Sequence, residues 1–501
     1  MTFLKHTTAH DMNYKLTFFI LAEIIIILGG ILLIPFFIAV GCGETSSMFG
    51  FGITIATCAV LGGAGLFLRP QKDKRNMRPS CGMIMCGLAW ILIGLIGAMP
   101  YALSGFGITY LDAVFETVSG VTTTGSSILT DIEALSKSLL FWRSLSQWLG
   151  GMGVLVLIIA ILPKKDRSAT QLAKAEMPGP QFGKLVSKIQ HSALILYAIY
   201  IFLTLLEFGV LCAVDMPVFD SINHALATAS TGGFSIKNTS IAYYDSVAIE
   251  VVITVFMLLF SINFYVFFLF IAGQFRKAFK QEETTWMFSI YIILVALITL
   301  SLSLSNTYET VAEGIRHSSF TVASLLSTSG FVTANYETWP MLAQILLFAL
   351  MFLGGSAGST AGGLKISRLM ILGKSSMLSA HKMLSPRSVK TVRLEGKPLS
   401  EETIHNTQRY FVLYALILVV SIILVSIDTN VADASGLMTN ISAVVTCFNN
   451  VGPGFGGVGP VCNFADLGIF AKIVLIMDML IGRLEIMPIL LIFYPKAWRS
   501  M

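Results

Sequence analysis

Thr122-Thr123-Thr124-Gly125-Ser126 is the first of four short turns on which the fold depends. The others are Ser230-Thr231-Gly232-Gly233-Phe234, Ser327-Thr328-Ser329-Gly330-Phe331 and Asn449-Asn450-Val451-Gly452-Pro453. Aligned on Gly125, Gly233, Gly330 and Gly452, they lie 108, 97 and 122 residues apart. Each follows a short helical candidate: Asp112–Val121, Asp220–Ala229, Ile315–Leu326 and Met438–Phe448. Apolar runs this short do not cross a bilayer and read as re-entrant segments. Asp112 and Asp220 precede their glycines by the same thirteen positions, where an N-cap would open the helix.

The rest of the chain explains why such segments occur. Of 501 residues, 55% are hydrophobic and 12% charged, against about 25% charged in soluble domains. Ten apolar runs are long enough to span a membrane: 16–40, 48–69, 81–103, 139–163, 192–215, 246–273, 285–304, 340–372, 408–427 and 467–494. The first is too long for a signal-peptide core and reads as a retained span. Lys and Arg gather in alternate connections, around 70–80, 164–190, 274–284, 374–407 and 495–501. Examples are Lys72, Lys74, Arg75, Arg78, Lys164, Lys165 and Arg167. The positive-inside rule then puts both termini in the cytoplasm.

The turns fall on the opposite, outer side. Each is flanked by a span before and after, so a unit of span, short helix, turn and span recurs four times. The predicted fold is an all-α integral membrane protein, with ten spanning helices and four re-entrant pore helices in a pseudo-fourfold arrangement. Residues 1–70 form two extra spans, and the repeats occupy 71–190, 191–280, 281–400 and 401–501.

A cation leaving water needs fixed oxygens in place of its hydration shell, and rings of backbone carbonyls provide them without a trapping charge. Glycine permits the unusual backbone angles this requires, and the short helices would aim their negative C-terminal ends at the ion. The candidate filter residues are Thr123, Thr124 and Gly125, Thr231, Gly232 and Gly233, Thr328, Ser329 and Gly330, and Asn450, Val451 and Gly452. Close packing of helices through small residues is the alternative reading.

Two further features lie inside the spans. The eighth apolar run is interrupted by Gly354 to Gly363, in which Gly354, Gly355, Gly358, Gly362 and Gly363 alternate with Ser356, Ser359 and Thr360. Glycine lowers helix stability by about 1 kcal/mol relative to alanine, so a broken helix facing the pore is expected. Helix packing through Gly354/Gly358 and Gly358/Gly362 is the alternative. Arg483 sits within the tenth run, where a charge is a functional-site hypothesis by default. Its partner is expected on another helix, because Glu485 does not share its face. Glu23, Glu207 and Lys472 carry no motif and read as snorkelling or local packing.

Three stretches carry a resemblance to a known family: Trp142-Arg143-Ser144-Leu145-Ser146-Gln147-Trp148-Leu149-Gly150-Gly151-Met152-Gly153, Gly354 to Lys365, and Gly482-Arg483-Leu484-Glu485. The chain resembles the Trk/Ktr/HKT superfamily of potassium transporters, nearest the TrkH subunits of bacterial Trk systems, over almost its full length. The resemblance implies a pseudo-fourfold pore in a homodimer in the bacterial inner membrane. It implies gating by a cytoplasmic, nucleotide-binding subunit of TrkA type, and K+ as the transported ion, because all four filter positions are glycine. It also implies that the 354–363 loop and Arg483 form the gate beneath the filter.

Other classes are disfavoured. Gly354 to Gly358 fits G-x-S-x-G but lacks the strand-to-helix turn of a hydrolase. Gly454 to Gly459 fits G-x-G-x-x-G without the strand and helix of a dinucleotide site. An enzyme is therefore not expected, and without a solvated basic domain nucleic acid is not an expected partner. The seven cysteines show no CxxC pairing and read as small hydrophobes. A symporter coupling potassium to protons or sodium is the nearer rival to a gated channel.

Overall fold

A computed structural model describes residues 14–67, 79–153, 189–428 and 436–498. Nineteen helices and one small hairpin lie in these segments. In chain order they are α1 (Tyr14–Cys42), α2 (Thr45–Leu66), α3 (Pro79–Leu103), α4 (Tyr110–Val121), α5 (Lys137–Gly151), α6 (Ile189–Ala213), α7 (Val218–Ala229), α8 (Val247–Ser261), α9 (Phe264–Ile271), α10 (Phe275–Phe279), α11 (Glu282–Leu304), α12 (Val311–Leu326), α13 (Met341–Leu350), α14 (Ile366–Leu384), β1 (Arg393–Leu394), β2 (Lys397–Pro398), α15 (Glu401–Val425), α16 (Gly436–Asn449), α17 (Ile469–Arg483), α18 (Met487–Ile492) and α19 (Pro495–Trp498).

Six of these helices are long and apolar enough to cross a membrane: α1, α2, α3, α6, α11 and α15. Only 17% of the most apolar window of α11 or α15 is buried. Side chains such as Ile292, Ile293, Leu416 and Ile423 point outward. Exposed apolar surface on this scale fits a hydrocarbon surround.

The other expected spans are not single straight helices. The run 246–273 folds as α8 and α9, bent by 91°. The break falls at Ile262, and the Asn263 side chain caps α9 by accepting from the Tyr265 amide. The carbonyls of Phe260 and Ser261 accept instead from Thr360 and Ser356 of the later loop, so tertiary contacts replace continued helix. The run 340–372 divides into α13 and α14 around a non-helical loop. The run 467–494 divides into α17 and α18. Of the run 139–163, α5 is described, whereas 154–163 lie outside the described residues, as do Lys72, Lys74, Arg75, Arg78, Lys164, Lys165 and Arg167.

The short helices α4, α7, α12 and α16 occupy the places expected of the four re-entrant candidates, but Asp112 and Asp220 do not cap them. Helix α4 opens at Thr109, whose hydroxyl accepts from the Asp112 amide and donates to its carboxylate. Helix α7 opens at Pro217. Both aspartates stand in the first turn, where their charge still complements the helix N-terminus. Thr310 caps α12 in the same way through the Glu313 amide.

The N-terminal pair α1 and α2 packs through glycines. A Cβ on Gly65 would lie 2.3 Å from the Cβ of Ala22, and one on Gly62 would lie 2.3 Å from Ile26 Cγ1. Gly65→Val is expected to lower stability by about 1–3 kcal/mol through overpacking, measured as thermal unfolding in detergent. An unchanged midpoint would show that this close approach is not required.

Candidate ion pathway and gate

The four short helices end in the same way. After α4, the Thr123 amide donates to Gly120 O (2.9 Å) and the Thr124 amide to Ser119 O (2.8 Å). After α7, Thr231 donates to Thr228 O and Gly232 to Ala227 O, at 2.8 and 2.9 Å. After α12, Thr328 donates to Leu325 O and Ser329 to Ser324 O, at 3.1 and 2.9 Å. After α16, Asn450 donates to Cys447 O and Val451 to Thr446 O, at 3.3 and 2.9 Å. This is the Schellman pattern of helix termination, in which one residue past the cap takes a left-handed conformation.

That residue is usually glycine, but here it is Thr123, Thr231, Thr328 and Asn450, with φ of 55°, 54°, 57° and 54°. A β-branched residue there is strained. Consecutive residues with unusual angles were expected, with glycine permitting them, and the threonines share those angles. The glycine angles are also positive, at 85°, 70°, 74° and 107° for Gly125, Gly233, Gly330 and Gly452. With the preceding amides turned back into each helix, the turns are left presenting carbonyls.

The turns meet in a closed cycle. A Cβ on Gly125 would stand 2.3 Å from Gly232 O, and one on Gly233 would stand 1.5 Å from Ser329 O. A Cβ on Gly330 would stand 2.2 Å from Val451 O, and one on Gly452 would return to the first turn at 3.0 Å from Thr124 O. Each glycine therefore faces the carbonyl that precedes the next glycine. Eight of the twelve candidate residues make these contacts, and Thr123, Thr231, Thr328 and Asn450 stand one position earlier in the same turns.

Buried polar contacts hold it. Arg143 Nε donates to Glu116 Oε1 at 2.8 Å, with both side chains almost fully buried. Arg143 Nη1 donates to Ser235 O (2.8 Å), and the guanidinium lies 4.0 Å from the Phe234 ring centroid. Glu116 Oε2 accepts from the Ile128 amide at 2.9 Å. This pair thus joins the strands leaving the first and second turns. Gln147 holds the second turn by donating to Gly232 O (2.6 Å) and accepting from the Phe234 amide (3.1 Å). Ser126 and Thr446 both donate to Gly452 O, at 2.9 and 2.6 Å. Asn450 Nδ2 donates to Thr124 Oγ1 at 2.8 Å. Arg143, Glu116 and Gln147 were not singled out as functional from the sequence. The signal was available, since an Arg and a Gln within an apolar run need buried partners.

The segment between α13 and α14 lies against this cycle. It is not helical, so the Gly-x-x-x-Gly helix contact does not form. Its neck closes where Gly354 N donates to Leu364 O and Leu364 N to Phe352 O, at 3.0 and 3.2 Å. A Cβ on Gly354 would stand 1.8 Å from Gly362 O. The Gly362 amide donates to Thr328 Oγ1 at 2.7 Å, a direct link to the third turn. Glu283, at the start of α11, grips the loop by accepting from Ala357 N (2.7 Å) and Ser367 N (3.0 Å). Gly358 and Ser359 lie at the bend, where Gly358 O accepts from Phe264 N and Ser359 Oγ donates to Ser356 O. Gly363, with φ of 64°, completes the return.

Arg483 ties three elements together. Its Nη1 donates to Thr360 O (2.8 Å), and its Nη2 to Gly150 O (2.5 Å) and Gly151 O (2.6 Å). Two of these partners lie on α5, another helix, as expected, though they are carbonyls. Glycines again permit the approach, since a Cβ on Gly150 or Gly482 would fall within about 2 Å of Val121 O or Phe448 O. Glu485 faces Arg368 on α14 at 2.6 Å.

Of the charged residues read as snorkelling or local packing, two are held against neighbouring helices. Lys472 does not snorkel but pairs with Asp112 at 2.9 Å. Glu207 is fully buried in α6, and neither carboxylate oxygen makes a hydrogen bond of normal geometry. Its polar neighbour is Thr228, in the last turn of α7 before the second of the four turns. Asp478 is also buried and accepts from Ser421 at 2.6 Å.

The sequence profile of the TrkH cation transport proteins matches residues 48–500. The chain belongs to the TrkH family. It is 34% identical to the Trk system potassium uptake protein TrkH of Salmonella typhimurium over 496 residues, covering 98% of this chain and all of that protein. The same identity and coverage hold for TrkH of Escherichia coli K12. The fold resembles the crystal structure of the potassium transporter TrkH from Vibrio parahaemolyticus with a TM-score of 0.86 and 29% identity, over 97% of this chain. These TrkH relatives are transport proteins, not enzymes, so G-x-S-x-G and G-x-G-x-x-G carry no catalytic site here.

For this TrkH-family chain the cycle gives an order of sensitivity to alanine. Gly233→Ala is expected to be the most damaging, because its Cβ would overlap a carbonyl. Gly125→Ala and Gly330→Ala follow, and Gly452→Ala is the mildest. Purified yield and rubidium uptake should fall in that sequence, and a Gly233→Ala protein with normal uptake would contradict the cyclic contact.

Proposed function

We propose that the chain takes up potassium across the bacterial cytoplasmic membrane through a filter made by its four turns. The observation that carries this reading is the closed cycle of glycine-to-carbonyl contacts from Gly125 through Gly452 back to Thr124. Carbonyls so arranged can replace an ion's hydration without binding it too tightly to leave. Glycine at all four positions argues for K+ as the cargo. The strained Thr123, Thr231 and Thr328 support a site under functional constraint.

The loop 354–363 and Arg483 are the gate in this reading. Arg483 bridges Thr360 to Gly150 and Gly151, so a fixed positive charge stands where the loop meets the end of α5. A cation leaving the filter meets that charge unless loop or arginine moves. Family resemblance supports the pseudo-fourfold layout of ten spans and four pore helices. It also supports a homodimer, cytoplasmic termini and a TrkA-type nucleotide-binding subunit as the regulator.

Coupled transport is the second reading. Glu207 and Asp478 favour it, as buried carboxyls within spans, the residue type that relays protons in membrane carriers. The two are placed on separate elements, α6 and α17, and conduction through the filter is the reading we prefer. In liposomes with defined potassium and proton gradients, the reversal potential should follow potassium alone. A reversal potential that moves with the proton gradient would instead establish coupling.

Two substitutions test the sites. Gly125→Ser should weaken discrimination against sodium in rubidium-uptake competition, because the side chain crowds Gly232 O. Retained selectivity would remove the first turn from the filter. Arg483→Ala should raise resting flux by about tenfold, the effect of losing roughly 1.4 kcal/mol of closed-state stabilisation. Equal or lower flux in a folded variant would remove Arg483 from the gate.

A further inference from the structure

The segment immediately after Arg483 is strained. Glu485 and Ile486 have φ of 56° and 71°, and neither is glycine. Ile486 combines its positive φ with ψ of −56°, and the Met487 amide donates back to Glu485 O at 2.8 Å. That is a γ-turn of the rare and strained hand. A fully buried, β-branched isoleucine at its centre is among the least suited residues for it. Strain of this kind persists only where surrounding contacts over-determine it.

The contacts that do so are on α14, the helix that leaves the gate loop. Arg368 Nη2 donates to Glu485 Oε2 at 2.6 Å, and its guanidinium stacks 3.9 Å from the ring centroid of Tyr410 on α15. Arg368 Nη1 and Glu485 Oε1 are buried without hydrogen-bond partners, so the pair holds by one bond rather than a two-point clamp. Arg368 lies five residues past the end of the 354–363 loop, and Glu485 two residues past Arg483. The pair therefore joins the loop's downstream anchor to the arginine's own segment, in parallel with the Arg483–Thr360 contact.

We propose that Glu485 and Arg368 are positioning residues for Arg483, and that their ion pair holds the Ile486 turn in a spring-loaded closed conformation. Displacement of α14 breaks the single bond, the γ-turn relaxes, and Arg483 withdraws from Gly150, Gly151 and Thr360. This inference rests on the reading of Arg483 and the loop as the gate.

The test is resting rubidium flux from liposomes containing the full-length protein. Arg368→Ala and Glu485→Ala should each raise flux by about tenfold, as Arg483→Ala does. The exchanged double variant R368E/E485R should return flux towards wild type, which a merely structural role for either residue does not predict. Ile486→Gly, which removes the strain at that φ, should lower resting flux and slow opening. A rise with Arg483→Ala but none with Arg368→Ala or Glu485→Ala overturns the positioning role and leaves the gate reading intact. Failure of the exchanged pair to restore closure, in a protein with normal rubidium-over-sodium preference, also overturns it. No response to Arg483→Ala would remove the gate reading and this inference together.

Discussion

Three carbonyl oxygens packed so closely against glycines that no side-chain carbon fits between them, with a fourth at the limit of such contact, are the constraint on which the rest of the structure depends. Backbone polar groups at membrane depth are tolerated only when paired or lining a cavity. The Schellman termini of α4, α7, α12 and α16 pair the amides and leave the carbonyls. Their strained threonines persist because Glu116, Arg143, Gln147, Thr446 and Asn450 fix the turns from behind.

The same economy of space links the turns to the elements beneath them. Gly150, Gly482 and Gly362 bring α5, α17 and the 354–363 loop against the ends of the short helices. Arg483 reaches carbonyls on two of these elements at once. The loop in turn holds Thr328 of the third turn through Gly362, and Glu283 holds the loop. Turns, loop and arginine form one connected set of contacts.

Much of this was legible in the sequence, and the reasons are physical. Short helices followed by small-residue turns repeat at readable spacing, because each turn must bring a glycine against the carbonyl of the next. The broken eighth run was legible because glycine-rich stretches make poor helix. The 91° break between α8 and α9 was not, because nothing local forces it; loop residues distant in sequence take the carbonyls of Phe260 and Ser261. The positive φ at Thr123, Thr231 and Thr328 was equally hidden, since threonine is not the residue such a conformation selects. The helix starts at Thr109 and Thr310 carried a capping signal, Thr-x-x-Asp and Thr-x-x-Glu. For Glu207, sequence left snorkelling and local packing open, because burial, unlike hydropathy, is not written in one helix.

Occupancy of the cycle of turns by an ion is the decisive property. Anomalous diffraction from crystals grown in rubidium locates the ion directly. Rubidium is expected between Gly125, Gly233, Gly330 and Gly452, in contact with the carbonyls of Thr124, Gly232, Ser329 and Val451. Ordered rubidium elsewhere in the membrane region, with none between those turns, would contradict that placement.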